Sequence, residues 1–439
     1  MFLRFLIALM VCWPAAAQEL AALLEAAIRP ELASLEALYK HLHANPELSY
    51  QEERTAARLA EELRRAGYEV TAGVGGHGVV GVLRNGAGPT VMVRADMDAL
   101  PVTEKTGLPY ASSVKARDEA GQEVGVMHAC GHDMHMTSWV GTARTLARLR
   151  DRWSGTLVMV AQPGEERGGG ALAMLRDGLY RRFPRPDYAL ALHAAPNLEA
   201  GRIGYRYGAV LANVDTIDIT IRGVGGHGAW PHMTKDPVVI AAQVVLALQT
   251  IVSRELDPLE SAVVTVGSVH GGTKHNVIPD EVHLQLTVRS YSDESRKRIL
   301  EAIERITRNL AQAAGVPKDR EPLIRYAEHE FTPATHNTAS LVDRLTPVWR
   351  QFFGADKVVE VEPVMGGEDF SRYGMTEEKV PILIFWLGTI DAERIRAARA
   401  DGTRLPALHS SEYWPAIHPT IETGVKAMSV AVLELLKKR

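Results

Sequence analysis

Three short apolar segments of this chain each run directly into polar side chains that can bind a metal ion or carry a proton. Continuous apolar segments of this length are typical of strands that are buried on both faces of a sheet. Ligands of an open α/β sheet bind beyond the carboxyl ends of its strands, so we expect the three polar ends to meet in one crevice. The segments are 90–93, 156–160 and 188–192, and they run into Arg94 to Asp98, Gln162 to Glu166 and His193, respectively.

Two further groups of metal-binding side chains lie outside these strands. Cys130 and His132 flank Gly131 at the start of a predicted helix, where glycine allows a bend that directs both side chains to one site. His409 follows late in the chain. A single histidine at a strand end is more often a capped or solvated side chain than a ligand, and adjacent carboxylates usually form a solvated loop. The placement at successive strand ends nevertheless favours a shared role. The predicted metal ligands are Cys130, His132, Glu166, His193 and His409.

Five ligands are more than one tetrahedral zinc ion takes, so the set predicts two divalent ions that share a bridging group and a water. Metal-assisted hydrolysis also needs a free carboxylate that takes a proton from the water and returns it to the leaving amine. The neighbouring Glu165 and Glu166 point in different directions, so we assign Glu165 as this base and Glu166 as a ligand. We expect Asp98 to hold His132 by a hydrogen bond, because ligating histidines usually need one.

The elements that position these residues fall into two groups. Most of the chain alternates apolar strands with helices, which is typical of an α/β layer with a mixed, largely parallel sheet and flanking helices. Residues 214–330 instead read as strand, helix, strand, strand, helix, strand, the order of a ferredoxin-like α+β domain. We therefore predict a catalytic domain of residues 18–211 and 331–439, interrupted by a lid of residues 212–330. The predicted helices are 19–43, 52–66, 133–150, 170–179, 235–253, 294–314 and 419–437.

The first 17 residues resemble a secretory signal, with Arg4, an apolar run and three alanines before Gln18. A membrane anchor and a first buried helix are alternatives, but the run is too short to span a bilayer. Lipid attachment at Cys12 is a third alternative, which the large flanking residues disfavour. We expect cleavage after Ala17, export to the periplasm or beyond, and no membrane span in the mature chain. Cleavage removes Cys12 and leaves Cys130 without a disulfide partner.

Composition narrows the class of partner. With 46% hydrophobic and 23% charged residues, the 439-residue chain is typical of a soluble protein with more than one hydrophobic core. Lys and Arg number 49 against 53 Asp and Glu, a formal net charge of -4. Because this charge gives no overall basic field for nucleic acid or anionic lipid, we expect a small-molecule partner.

Nine motifs follow one another along the chain in a familiar order: HLHANPELSYQEE, RADMDALP, HACGHD, QPGEE, LHAAP, GGHGAWPH, NVIP, MGGEDF and LHSSEY. They resemble those of metallopeptidase family M20, and within it the hippurate hydrolases and indole-acetyl amino acid hydrolases. The resemblance covers essentially the whole mature chain. It implies a zinc-exopeptidase-like catalytic domain, the same five ligands, Glu165 as base and two divalent ions per subunit.

Cys130 departs from the wider family, in which many members have an aspartate at the bridging position. A thiolate favours zinc, whereas carboxylates and imidazoles also suit manganese, nickel or cobalt. The resemblance therefore leaves the metal open, with zinc and manganese as the first expectations.

The resemblance also assigns substrate contacts to the lid. His227 and Asn276 lie in glycine-rich segments that alone would read as turns, but the matching family residues stabilise the transition state. Arg289 matches an arginine that binds the substrate carboxylate, together with backbone amides near Gly367. In related dimers the histidine comes from the partner subunit, so we expect a homo-oligomer joined through the lid and closure of the lid over the substrate.

The leading prediction is metal-dependent hydrolysis of N-acyl, including N-aroyl, amino acids. A dipeptidase or carboxypeptidase of the same family is the first alternative. Two alternatives come from other classes: a cysteine hydrolase that uses Cys130 as nucleophile, and a non-catalytic metal-containing binding protein.

Overall fold

A computed structural model describes residues 15–438 of the chain. The predicted signal segment lies outside the described residues, apart from its last three, which begin the first helix. The described α-helices are α1 (Ala15–Ile28), α2 (Leu32–Ala44), α3 (Glu53–Arg65), α4 (His132–Arg148), α5 (Gly170–Arg176), α6 (Leu179–Arg182), α7 (Pro237–Thr250), α8 (Asp293–Ala313), α9 (Ala339–Phe353), α10 (Ser371–Gly374), α11 (Ala392–Asp401) and α12 (Ile417–Leu435).

The strands fall into one large sheet, a lid sheet and three short pairs within the described chain. Their bounds are β1 (Glu69–Val74), β2 (Gly78–Asn85), β3 (Thr90–Asp96), β4 (Lys115–Arg117), β5 (Glu123–Gly125), β6 (Gly155–Gln162), β7 (Tyr188–Glu199), β8 (Ile203–Tyr205), β9 (Gly208–Leu211), β10 (Asn213–Arg222), β11 (Gly226–His227), β12 (Ala262–His270), β13 (Val277–Ile278), β14 (Glu281–Ser290), β15 (Leu323–Tyr326), β16 (Thr335–Asn337), β17 (Val358–Glu360) and β18 (Ile382–Ile390).

The large sheet has the order β1-β2-β6-β3-β7-β18-β8-β17, and its centre, β6-β3-β7-β18, is parallel. Side chains alternate between its faces: Val91 and Val93 of β3 join the core beneath α4 and α12, whereas Met92 joins the core on the other face. All nine residues of β18 are buried, as a covered central strand requires. The predicted mixed, largely parallel sheet with flanking helices is thus confirmed.

The lid sheet is antiparallel with the order β12-β14-β10-β15, and α7 and α8 pack on one face. In chain order these strands give the 2-3-1-4 arrangement of a ferredoxin-like fold, as predicted. Residues of β10 alternate between buried and half-buried positions along the whole strand. The buried isoleucines Ile217, Ile219 and Ile221 meet Ile240 and Val244 of α7 in a core of their own.

Several helices differ from their predicted bounds for local reasons. The predicted first helix is interrupted by a 3-10 turn at Arg29–Glu31, because Pro30 lacks an N–H and cannot continue an α-helix. The predicted helix 170–179 divides into α5 and α6 at Gly178, whose φ is +89°. The chain forms α7 only from Pro237, where the side chain of Asp236 accepts the Val238 N–H as an N-cap.

Residues Pro237–Glu255, which are α7 and the π-helical turn that follows it, are the one described helical stretch long and apolar enough to cross a membrane by length and composition. Only 33% of its most apolar 18 residues are buried. One face packs on the lid sheet, and the opposite face exposes Val239 and Leu246. The lid therefore carries an uncovered apolar surface on this chain.

Candidate metal centre

The start of α4 directs Cys130 and His132 to the carboxyl ends of the central strands. Gly131 precedes the helix with φ +83°, in the left-handed region, and a Cβ there would lie 3.0 Å from the Cβ of Ala194. Only glycine meets both conditions without strain. Further along the helix the Trp139 indole N–H donates to the Val93 carbonyl oxygen at 3.0 Å, which fixes α4 on β3.

His132 is held in the tautomer that a ligand needs. Its Nδ1 donates to the main-chain carbonyl oxygen of Asp98 at 2.8 Å. Its buried Nε2 makes no hydrogen bond to any residue in the described part of the chain, and lies 3.8 Å from Glu166 Oε1 and 3.9 Å from Glu165 Oε2. A buried nitrogen lone pair without a partner is what a bound cation would satisfy.

Asp98 contacts His132 mainly through its backbone carbonyl, whereas its carboxylate accepts hydrogen bonds from neighbouring loops. Oδ1 lies 3.4 Å from His132 Nδ1. Oδ2 accepts the Ser49 hydroxyl at 2.7 Å and the Glu166 N–H at 2.9 Å. Asp98 therefore ties the loop of the two glutamates to the end of β3, and the orienting hydrogen bond comes from its carbonyl rather than from the carboxylate.

His193 and His409 approach from the other side. His193 Nδ1 donates to the Ala194 carbonyl oxygen at 3.0 Å, and its Nε2 lies 3.7 Å from Cys130 Sγ. His409 has a φ of +66°, and its N–H donates to the Ala129 carbonyl oxygen at 2.8 Å. This contact brings His409 Nε2 to 3.5 Å from Glu166 Oε1, although the side chain remains 55% exposed.

All five predicted ligands and Glu165 therefore meet in one place. Possible ligand atoms lie within 4.8 Å of one another in three overlapping groups, two of which share Cys130. That sharing is the arrangement expected of a residue that bridges two ions. The roles of the individual residues stay predictions. The groups are Cys130, His132 and His193; Cys130, Glu166 and His409; and His132, Glu165 and Glu166.

The electrostatics of the cluster fit a cation. Burial, then the nearby Glu368 and Glu166, raises the pKa of Glu165 well above its usual range. Burial also raises the pKa of Glu166 to about 7, although His132 opposes the shift. The pKa of the Cys130 thiol is raised by burial and by both glutamates. Without a bound cation, the fold therefore disfavours the charged forms of both carboxyl groups and of the thiol. Divalent cations would stabilise these charged forms.

His135 lies in the same cluster but cannot ligate in this arrangement. Its Nδ1 is 2.6 Å from Asp96 Oδ1, and its Nε2 accepts the Ala194 N–H at 2.8 Å. Both ring nitrogens are therefore occupied, and His135 joins β3 to the end of β7. Its position three residues after His132 places it on the same helix face, a signal that the sequence prediction left unused.

The cluster opens into a cavity of about 1250 Å³ that both sheets help to enclose. Arg289 of β14 lines it, half-buried, with its Nε donating to the Thr287 hydroxyl at 3.2 Å. A Cβ on Gly367 would lie 3.6 Å from an Arg289 Nη atom, so these two predicted substrate contacts are neighbours. The remaining wall next to His193 is largely apolar and includes Leu198 and Trp386.

His227 and Asn276 lie elsewhere on the lid. Neither is among the described residues that line the cavity, and both are exposed. They are close to each other, because Gly228 N–H donates to the Asn276 carbonyl oxygen at 2.9 Å beside the short β11–β13 pair. Their predicted contact with substrate stays a prediction for the single chain.

Comparison with known proteins agrees with this geometry. Residues 92–401 match the model of "Peptidase family M20/M25/M40". The chain is 38% identical to hippurate hydrolase of Campylobacter jejuni over 351 residues, 78% of this chain and 87% of that protein. It is 37% identical to thermostable carboxypeptidase 2 of Saccharolobus solfataricus over 354 residues, 80% and 84% of the two chains.

A solved structure extends the match to the fold. The YXEP protein of Bacillus subtilis, described as a dinuclear metal-binding peptidase, superposes with a TM-score of 0.73 at 28% identity. The match covers 93% of this chain and 99% of that one, and so includes both the large sheet and the lid. The chain therefore belongs to the peptidase family M20/M25/M40.

Proposed function

We propose that the protein hydrolyses the amide bond of N-acyl amino acids, N-aroyl ones included, with two divalent metal ions and Glu165 as general base. The observation that carries the proposal is the convergence of five potential metal ligands and Glu165 beside a cavity that Arg289 also lines. The similarity to hippurate hydrolase and to N-acetyl-L-cysteine deacetylase of Bacillus subtilis, 34% identical, supports the substrate class.

Each group has a part in the reaction. Cys130, His132, Glu166, His193 and His409 would hold the two ions, whose chemistry when bound is to polarise the scissile carbonyl and acidify water. Glu165 takes the proton of the attacking water and passes it to the nitrogen of the leaving amine. The guanidinium of Arg289 pairs with the α-carboxylate of the substrate and fixes the orientation of its amide bond.

Zinc or manganese is the proposed resident metal, with nickel or cobalt as the next choices. The Cys130 thiolate favours zinc, whereas the single thiolate among imidazoles and carboxylates leaves harder ions competitive.

The lid supports a proposed homodimer. α7 exposes Val239 and Leu246, and β12 is an edge strand of the lid sheet in the described chain. An exposed apolar helix beside an open strand edge is a surface suited to a second copy. Docking there would let His227 and Asn276 reach the cavity of the neighbouring subunit, where His227 would donate to the developing oxyanion.

Hydrolysis of peptides is the second candidate, favoured by the similarity to thermostable carboxypeptidase 2. Arg289 would bind the C-terminal carboxylate of a peptide as well as that of an acylated amino acid. A panel of hippurate, N-acetyl amino acids, aryl amide conjugates of phenylalanine and dipeptides on the purified protein separates the two, since the proposal requires the acylated amino acids to have the higher kcat/KM.

Metal dependence tests the class of enzyme. We expect a chelator to abolish hydrolysis and added zinc or manganese to restore it. Loss of activity on thiol alkylation without any metal dependence would instead support a cysteine hydrolase. Tight binding of hippurate without turnover by the metal-loaded protein would support a binding protein.

Export is also part of the proposal, on the basis of the first 17 residues. N-terminal sequencing of the protein from its native host should begin at Gln18, in a periplasmic or extracellular fraction. An intact Met1 in the cytoplasmic fraction would contradict it.

A further inference from the structure

Arg94, near the end of β3, has a fully buried guanidinium in which every N–H donor is used. Nε donates to Gln162 Oε1 at 2.9 Å. One Nη donates to Asp96 Oδ2 at 2.7 Å and Glu368 Oε2 at 3.2 Å. The other donates to Glu368 Oε1 at 2.8 Å and Asp369 Oδ1 at 3.1 Å. The planar fork of arginine suits such a set, which the single ammonium of lysine cannot reproduce.

The partners of Arg94 belong to three segments that each contribute to the candidate active site. Asp96 ends β3 two residues before Asp98, and Gln162 ends β6 just before the loop of Glu165 and Glu166. Glu368 and Asp369 directly follow Gly367 in the loop that lines the cavity. One side chain therefore fixes the relative positions of the base loop, the end of β3 and the substrate-binding loop.

A contribution to the stability of the fold does not by itself explain why this buried ionic network is present. Three carboxylates surround one guanidinium with no solvent access, and buried ionic networks can often be replaced by apolar side chains without loss of stability. What apolar residues cannot reproduce is the fixed geometry of a fully hydrogen-bonded network.

The loop that Arg94 holds leaves little space for displacement. A Cβ on Gly367 would lie 2.4 Å from Val214 Cγ2 and 3.6 Å from Arg289, so this loop sits directly against the lid's carboxylate-binding side. On the other side, carboxylate oxygens of Glu165 and Glu368 lie within 4.8 Å of each other. Since Arg94 binds both Glu368 oxygens, it fixes the Glu368 carboxylate in its position beside Glu165.

We infer that Arg94 is a positioning residue for hydrolysis, which aligns the Glu165 loop with the Gly367 loop and so with the substrate bound by Arg289. The inference rests on the proposed function. Arg94 acts through Gln162 and Glu368, and its side chain contacts neither the substrate nor a predicted metal ligand.

The test compares metal-loaded Arg94→Ala and Arg94→Lys with the wild type on hippurate, after thermal unfolding and metal analysis of each. We expect kcat to fall by about 100-fold in both, since a displacement near 1 Å has effects of that order. Two metal ions per subunit and a folded state at the assay temperature should be retained. Millimolar guanidinium should restore part of the kcat of Arg94→Ala, but nothing to Glu165→Gln.

Arg144→Ala is the matched control, because Arg144 also binds two carboxylates, Glu31 and Glu62, but lies away from the cavity. It should lower stability and leave kcat unchanged.

If Arg94→Ala does not fold, the same measurements are made on Arg94→Lys and on the isosteric Glu368→Gln, which should also lower kcat. Wild-type kcat in the folded, metal-loaded Arg94→Lys would overturn the inference, as would a loss of kcat that only follows a loss of metal. If the wild type cleaves no N-acyl amino acid, the proposed function itself fails.

Discussion

At the scale of single residues, Glu165 and Glu166 are adjacent in sequence but face different neighbours. Glu166 meets His409 and Cys130, whereas Glu165 groups with Glu368 as well as with His132. We therefore expect Glu165→Gln to lower kcat by about 10²- to 10⁴-fold, the usual contribution of a general base, and to leave the metal content unchanged. Elemental analysis and steady-state kinetics on the same sample check this.

Glu166→Gln is the companion variant, which should lose metal as well as activity. If Glu165→Gln instead released metal while Glu166→Gln retained it, the assignments of base and ligand would have to be exchanged.

The thiol of Cys130 sets the second prediction at this scale. Cys130→Asp replaces the proposed soft bridging ligand by a hard one, so the preference of the site should move from zinc towards manganese. Competition dialysis against both ions, with metal content and activity as readouts, measures the change. Cys130→Ala removes any bridge and should hold less than two ions per subunit. Retention of full activity by Cys130→Ala would remove the cysteine from the site.

At the scale of elements, the turn into α4 decides where two predicted ligands, Cys130 and His132, point. In Gly131→Ala the left-handed φ of +83° and the 3.0 Å approach to Ala194 both oppose the added methyl, so we expect a loss of about 1 to 3 kcal/mol of stability and weaker metal binding. Gly86→Ala is matched, with φ +82° and nothing within 4 Å. Urea unfolding should show a smaller loss for Gly86→Ala, with metal affinity unchanged. Equal metal affinities in the two variants would contradict the role of the turn.

The packing of α2 against α4 predicts that the free energy of unfolding depends on pH. His43 of α2 meets Asp133 Oδ2 at 2.7 Å and Glu104 Oε1 at 3.1 Å. Burial lowers the pKa of His43, but the hydrogen bonds to both carboxylates outweigh it and raise the pKa from 6.5 to about 9. Because the folded state binds this proton more tightly, the stabilisation is complete below pH 6.5 and disappears as the pH rises through 9.

We expect the free energy of unfolding to fall by up to about 3 kcal/mol over that interval, as measured in urea at a series of pH values. His43→Gln should abolish this component of the slope. A variant whose slope equals that of the wild type would show that other groups account for it.

Elements were predictable from sequence where the local pattern is strong. The alternation in β10 and the apolar runs of β3, β6 and β7 predicted the sheets, and the strand ends predicted where Glu165, Glu166 and His193 meet. The sequence pattern could not show that Arg94 donates hydrogen bonds to Asp96, Glu368 and Asp369, because these bonds join residues up to 275 positions apart. Nor could it show that the Asp98 carbonyl, rather than its carboxylate, orients His132, since only the path of the backbone decides that.

At the scale of the whole molecule, two features of the described chain have no explanation within a single subunit. The exposed apolar face of α7 adjoins an edge strand, and His227 lies outside the cavity to which the family resemblance assigns it. A two-fold dimer through α7 and β12 would account for both. Leu246→Arg, at a side chain that is 72% exposed, should give a folded monomer by analytical ultracentrifugation with a greatly lowered kcat.

Subunit mixing then decides whether each active site uses residues of two chains. Homodimers of Glu165→Gln lack the proposed base and those of His227→Ala lack the proposed oxyanion donor, so each alone should be nearly inactive. In a mixed dimer one site would combine Glu165 of one subunit with His227 of its partner, and the other site would carry both substitutions. Random exchange of equal amounts should thus recover about a quarter of wild-type kcat per site. If both residues serve the same chain's cavity, mixing recovers nothing, because every site keeps one of the two defects.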